Sequence, residues 1–183
     1  EIKGIDFLVA SGSLSPGVPV DIFARIAAIA EKKNAKLILD TSGEALKLAV
    51  EQGAYLIKPN LGELAFLAGK EELDPQAVIE IAREIINKGC CQVIMVSMGP
   101  GGAMVITKDM ARQINAPSVR KKSTVGAGDS MVAGIVISLS KGMSLLDAVR
   151  YGVASGTAAT MNPGTQLCKL EDVEKLYKIM SDN

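Results

Sequence analysis

Thr124-Val125-Gly126-Ala127-Gly128-Asp129-Ser130 runs directly into the apolar segment Met131-Val132-Ala133-Gly134-Ile135-Val136. Two glycines one residue apart let the backbone turn tightly and approach a ligand closely. The apolar segment predicts a helix over 127–140. The first turn of such a helix offers free N–H groups and the positive end of its dipole, which together attract an anion. Asp129 falls in that turn, where a carboxylate beside a bound phosphate can accept a proton from a substrate hydroxyl. A purely structural reading also fits. Gly, Asp and Ser are common at helix starts, and Met131, Val132, Ile135, Val136 and Leu139 trace a stripe suited to burial. On this stretch alone both readings stand. Other glycine motifs are excluded: a dinucleotide fingerprint starting at Gly126 needs a glycine where Met131 stands, and no Walker loop ending in Gly-Lys-Ser/Thr occurs.

Working outward, apolar strand patterns alternate with helical ones. Strands are predicted over 5–10, 36–39 and 55–57, with a helix over 20–33 and a short one from Glu44 between them, which is the order of βαβ units. Two helical stretches follow Asn60. Strands over 92–97, 103–107 and 111–115 come next, joined by turns so short that antiparallel hairpins are expected. Helices over 127–140, 145–161 and 171–180 close the chain, with Gly142 and Pro163-Gly164 between them. The expected fold is α/β, a mostly parallel sheet flanked by helices on both faces with antiparallel strands toward one edge. Ligands of such sheets bind outside the carboxyl ends of the strands. That rim gathers Ser11-Gly12-Ser13, Asp40-Thr41-Ser42, Lys58-Pro59-Asn60 and the segment 97–102.

Composition narrows the chemistry. The 183 residues are 48% hydrophobic, enough to bury one substantial core. Lys plus Arg equals Asp plus Glu at 20 each, so no overall field draws the chain to nucleic acid or an anionic membrane. Its one basic run, Arg120-Lys121-Lys122, reads as a solvated loop or, lying just upstream of the glycine turn, as a phosphate contact through Lys121. Histidine is absent, which excludes His-based triads and disfavours zinc. Three cysteines, two of them adjacent, point to reduced thiols, and with no membrane-spanning stretch or leader pattern a cytoplasmic location is expected. Glu1 is not a natural initiator, so the chain reads as part of something longer.

Further candidates lie on the rim. Asn60-x-x-Glu63 follows a strand and opens a helix. It reads as a capping box, or as a place where Glu63 meets a hydrated Mg²⁺ with Asp40 assisting through water. Ser97-Met98-Gly99-Pro100-Gly101-Gly102 reads as a glycine-rich turn or a nucleotide contact. Gly152, Ala154, Ser155, Gly156, Ala158 and Ala159 suit close helix packing or leave room for a flat base.

In combination and in order, these segments resemble the ribokinase-like (PfkB) sugar kinases. Residues 124–129 are similar to that family's signature, and Lys58-Pro59-Asn60-x-x-Glu63 to its magnesium-associated motif. Ser11-Gly12-Ser13-Leu14-x-Pro16-Gly17, Ser97-x-Gly99-Pro100-x-Gly102 and Ala158-Ala159-Thr160-x-Asn162-x-Gly164-Thr165-x-Leu167-Cys168 look most like its bacterial 6-phosphofructokinase branch. The resemblance covers essentially the whole chain. It implies a ribokinase-like fold and ATP-dependent phosphorylation of fructose 6-phosphate in glycolysis, with fructose 1-phosphate or tagatose 6-phosphate as alternative substrates. A non-catalytic nucleotide-binding module is the alternative from another class.

By the same resemblance Asp129 is the base, and Gly126, Ala127 and Gly128 form the anion hole. Lys58, Asn60, Ser97, Gly99, Gly102, Lys121 and Thr157 contact ATP, and Ser13 contacts the sugar phosphate. Asn60 and Glu63 organise Mg²⁺. Ser123, Val125, Ala159, Asn162, Gly164 and Gln166 match a monovalent-cation site, largely through backbone oxygens, with K⁺ as the ion. Ser123 and Gln166 depart from residues common in relatives. The resemblance makes residues 1–183 the C-terminal, nucleotide-binding part of a homodimeric enzyme. The relatives' N-terminal region, which carries most sugar contacts and a lid, would precede Glu1, and this part alone is expected to be inactive.

Overall fold

The computed structural model describes residues 4–182. Strands β1 (Phe7–Ser11), β2 (Lys36–Asp40), β3 (Ala54–Ile57), β4 (Cys91–Ser97), β5 (Ala103–Ile106) and β6 (Ala111–Ile114) form one sheet in simple sequential order. The first three pairings are parallel, with Phe7 opposite Lys36, Leu39 opposite Ile57 and Ile57 opposite Ile94. The links 98–102 and 107–110 are too short for a parallel crossover, so β5 and β6 run antiparallel to their neighbours. Thr107 and Met110 close the second link by a backbone hydrogen bond of 2.8 Å. The mostly parallel sheet with an antiparallel edge is therefore as expected.

The chain divides into two compact units. The first runs up to Met98 and includes Met104–Arg112. Its helices are α1 (Ile22–Lys32), α2 (Gly43–Gln52), α3 (Leu61–Leu67) and α4 (Val78–Asn87). Their apolar residues recur at helical spacing: α1 buries Phe23, Ala27 and Ala30, and α4 buries Val78, Ile81, Ala82, Ile85 and Ile86. These pack with Leu37, Leu39, Ile57, Ile94 and Val96 in one cluster. Residues of the opposite pleat, Ile38, Leu56 and Met95, are also fully buried. Burial on both faces is why β2, β3 and β4 read as continuous apolar runs rather than as alternations.

The second unit comprises Gly99–Ala103 and the chain from Gln113 onward, with helices α5 (Ala127–Ser140), α6 (Leu145–Thr160) and α7 (Leu170–Ser181). Here one expectation is corrected. On α5 the buried residues are Ser130, Val132, Gly134, Ile135 and Ser138, whereas Met131, Val136 and Leu139 are only half-buried. The buried face is lined with small residues because the α5 and α6 backbones come close together. A Cβ on Gly152 would fall onto Ile135 Cγ1 and lie 2.9 Å from the Met131 carbonyl oxygen, and one on Gly156 would lie 3.0 Å from the Ala127 carbonyl oxygen. Ala154 and Ala158 face α7, clustering with Val173 and Leu176. The small residues of α6 are thus used for helix packing.

The three cysteines are free thiols. Burial pushes the Cys91 thiol up to about 12, which leaves it a core residue rather than a nucleophile. Among the described residues no helix is long and apolar enough to cross a membrane.

Candidate functional site

In the first unit the rim is built by strand register. Leu39 stands opposite Ile57, so the next residues, Asp40 and Lys58, emerge side by side at the carboxyl ends of β2 and β3. Lys58 Nζ lies 2.9 Å from Asp40 Oδ1, with the two side chains only 9% and 17% exposed. An ammonium this withdrawn from water needs that carboxylate. Neighbouring strand ends are tied in the same way. The Gly12 amide donates to the Asp40 carbonyl at 2.9 Å, and the Thr41 hydroxyl donates to the Gly12 carbonyl at 2.7 Å. Ser97 extends the rim through its amide, which donates to the Pro59 carbonyl at 2.9 Å. Ser13 is exposed on the loop after β1.

Asn60 and Glu63 form both halves of a capping box on α3. Asn60 Oδ1 accepts from the Glu63 amide at 2.9 Å, and the Asn60 amide donates to Glu63 Oε2 at 2.8 Å. The structural reading of this motif is therefore realised. Glu63 Oε1 is not used by the box. Among the described residues no cluster of three or more Asp, Glu, Cys or His could hold a metal unaided. One carboxylate oxygen in the first turn of α3 fits Mg²⁺, which keeps water and phosphate ligands. Asn60→Ala is expected to remove the cap at a cost of about 1 kcal/mol, or about 2–4 °C in the melting midpoint, whereas Asn60→Asp should melt as the unmodified chain does. Thermal denaturation followed by circular dichroism checks this.

In the second unit, α5 starts at Gly126, whose φ of +75° is left-handed, and no side chain caps the helix. A cap residue usually sits in the extended region with its side chain bonded to the first-turn amides. Here the left-handed turn takes its place, open to glycine at little cost, and the Ala127 amide donates to the Thr124 carbonyl at 3.3 Å. Ser130 donates its amide to the Gly126 carbonyl at 2.9 Å, so regular helix begins at once. Asp129 is exposed in this first turn. Such a helix start is able to receive an anion from solvent, with a carboxylate beside it.

The loop leading into this turn is held to the end of α6. The amides of Lys122 and Ser123 both donate to the Thr160 carbonyl, at 2.8 and 3.3 Å, and the Ser123 hydroxyl donates to the Gly164 carbonyl at 2.7 Å. Asn162 is buried and its Nδ2 donates to the carbonyls of Ala158 and Leu167, at 3.3 and 3.0 Å. The Ala159 carbonyl accepts from the Asn162 amide at 3.1 Å, and the exposed Gln166 donates its amide to Pro163 at 3.3 Å. The structure thus brings Ser123, Val125 and Gly164 together. The oxygens placed together there are the Ser123 hydroxyl and the Gly164 carbonyl, while Val125 joins them through its N–H.

Gly99 lies exposed in a 3₁₀ turn, while Gly102 is buried at a φ of +86°. A Cβ there would run into the Ile114 carbonyl oxygen and approach the Ala116 amide nitrogen at 2.6 Å. That glycine is demanded by the crossing backbone. Lys121 is exposed and Thr157 half-buried on α6. The rim pair was missed as a pair, although two opposite charges placed after adjacent apolar strands are a readable signal once parallel register is assumed. Two grooves, of about 420 Å³ along α4 around Arg83 and about 610 Å³ around residues 113–118, involve none of these candidate residues.

A family model described as pfkB family carbohydrate kinase matches residues 1–172. The chain is 42% identical over 182 residues to ATP-dependent 6-phosphofructokinase isozyme 2 of Escherichia coli, covering 99% of this chain and 59% of that protein. It is 36% identical over 157 residues to 1-phosphofructokinase of Bacillus subtilis, covering 86% of this chain and 52% of that protein. The chain therefore spans little more than half the length of these curated relatives. Among solved structures, phosphofructokinase-2 from Escherichia coli in complex with potassium superposes with a TM-score of 0.90 at 43% identity, covering 96% of this chain and 57% of that one.

Proposed function

Since the chain belongs to the pfkB family of carbohydrate kinases, we propose that it is the C-terminal, nucleotide-binding part of an ATP-dependent fructose-6-phosphate kinase. The observation that carries this reading is the start of α5: a left-handed glycine, no side-chain cap, and a carboxylate in the first turn. In this reading the sugar 1-hydroxyl oxygen attacks the γ-phosphorus of ATP while Asp129 takes the hydroxyl proton. The bond from the γ-phosphorus to the bridging oxygen breaks, and ADP leaves. Amides of the Gly126, Ala127 and Gly128 turn stabilise the charge on the transferred group, which is the main demand of phosphoryl transfer.

In this reading Lys58, Asn60 and Ser97 of the first unit and Gly99, Gly102, Lys121 and Thr157 of the second are each assigned a contact with ATP, and Ser13 one with the sugar phosphate. Asn60 and Glu63 would hold Mg²⁺, which when bound neutralises charge on the phosphates. Ser123, Val125, Ala159, Asn162, Gly164 and Gln166 would hold K⁺. The whole protein is read as a cytoplasmic homodimer of glycolysis.

The relatives support two sugar specificities, because 6-phosphofructokinase and 1-phosphofructokinase both match along most of this chain. Fructose 6-phosphate is preferred because the 6-phosphofructokinase match is longer and more identical. With the full-length protein, turnover of fructose 6-phosphate is expected to exceed that of fructose 1-phosphate and tagatose 6-phosphate. A reversed order overturns the substrate assignment. This chain alone is expected to show a thermal shift with Mg-ATP but no turnover, since orientation of the sugar and exclusion of water are assigned to the N-terminal part. No shift would favour an α/β domain without a nucleotide site. A shift without turnover in the full-length protein would favour a non-catalytic nucleotide-binding module.

A further inference from the structure

The glycine turn before α5 is closed by backbone bonds, the Ala127 amide donating to the Thr124 carbonyl at 3.3 Å and the Ser130 amide to the Gly126 carbonyl at 2.9 Å, and it is entered from residues tied to the end of α6. Immediately upstream, the half-buried Ser123 hydroxyl makes two hydrogen bonds. It accepts from the Val125 amide at 3.2 Å and donates to the Gly164 carbonyl at 2.7 Å. A hydroxyl has one proton, so its only donor is committed to the 160–167 loop. That loop is itself held, because Asn162 Nδ2 joins the carbonyls of Ala158 and Leu167. The two loops also meet at Gly126, where a Cβ would lie 2.8 Å from Leu167 Cδ2. Beside the backbone bonds from Lys122 and Ser123 to the Thr160 carbonyl, the Ser123 hydroxyl thus adds a side-chain link between the loop after α6 and the residues entering the turn.

We infer that Ser123 is a positioning residue, a latch whose hydroxyl joins Val125 to Gly164 and so sets where the first-turn amides of α5 and Asp129 stand. This rests on the kinase reading for its consequence, but the latch itself is a property of the second unit. It also gives Ser123 a role that needs no bound cation.

Amide hydrogen exchange tests it in this chain. Ser123→Ala is expected to speed exchange at 124–128 roughly tenfold, the effect of losing about one or two hydrogen bonds locally. Exchange at 148–156, inside α6, should stay within twofold. Ser123→Thr should restore protection, and Ser123→Cys, a weak donor of similar size, should behave as the Ala variant does and carries the test if the Ala variant does not fold. Unchanged exchange at 124–128 overturns the inference. So does equal acceleration at 148–156, which would make Ser123 merely structural. In the full-length protein the Ala variant should lose kcat more than it raises KM for ATP. A failed kinase reading would appear as no turnover in the unmodified full-length protein, and the exchange comparison would still decide the latch.

Discussion

If the kinase reading holds, Asp129→Asn is expected to lower the turnover of sugar phosphate by the full-length protein about 10²–10⁴-fold, the range for removing a general base. The amide keeps the size of the carboxylate but loses its negative charge and its capacity to take a proton. Stability is expected to change little, because Asp129 is exposed in the first turn of α5 and a charge there contributes about 0.3–1 kcal/mol through the helix dipole. A rate loss of the size expected corresponds to about 3–5 kcal/mol in the barrier, well beyond that electrostatic term. Mg-ATP binding, measured by calorimetry, should survive the substitution, since the nucleotide contacts are assigned to other residues. An unchanged rate would remove Asp129 from the role of base. A rate loss accompanied by loss of nucleotide binding would instead make it a phosphate-site residue.

The start of α5 was legible almost to the residue because several local signals coincide there: two glycines, an acid in the first turn and an uninterrupted apolar run. Element order and sheet class were legible for the same reason. Strand ends were less so. A strand over 5–10 was expected, but β1 is Phe7–Ser11, since pairing with β2 from Lys36 to Asp40 decides which residues are strand. The predicted helix over 20–33 shortens to Ile22–Lys32, after Pro19 and before the turn at Asn34. What apolar periodicity cannot report is close approach of backbones. Ser130, Gly134 and Ser138 line the buried face of α5 because small residues, not large ones, let it pack on α6. The capping box at Asn60 was legible from spacing alone, because both partners lie within one helical turn. The ion pair of Asp40 and Lys58 was not, because the partners are brought together only by the register of two strands.

That ion pair carries the second large effect. Asp40→Ala is expected to destabilise the fold by about 3 kcal/mol, the lower end of the range for leaving one member of a buried pair without its partner. The lower end applies because Asp40 is 17% exposed, so water reaches the strand end and partly solvates the orphaned ammonium. Denaturant midpoints at constant slope measure it. The double variant Asp40→Leu with Lys58→Met should recover most of this loss, because replacing both charges with apolar side chains removes the desolvation penalty together with the attraction. Nucleotide binding then separates two reasons for keeping the pair. If Lys58 is held by Asp40 in order to meet phosphate, the double variant in the full-length protein is stable yet binds Mg-ATP more weakly. If the pair serves the fold alone, affinity stays at the unmodified value. Weakened binding is the expected result, since two buried charges at the rim of a parallel sheet add little to stability that apolar residues could not supply.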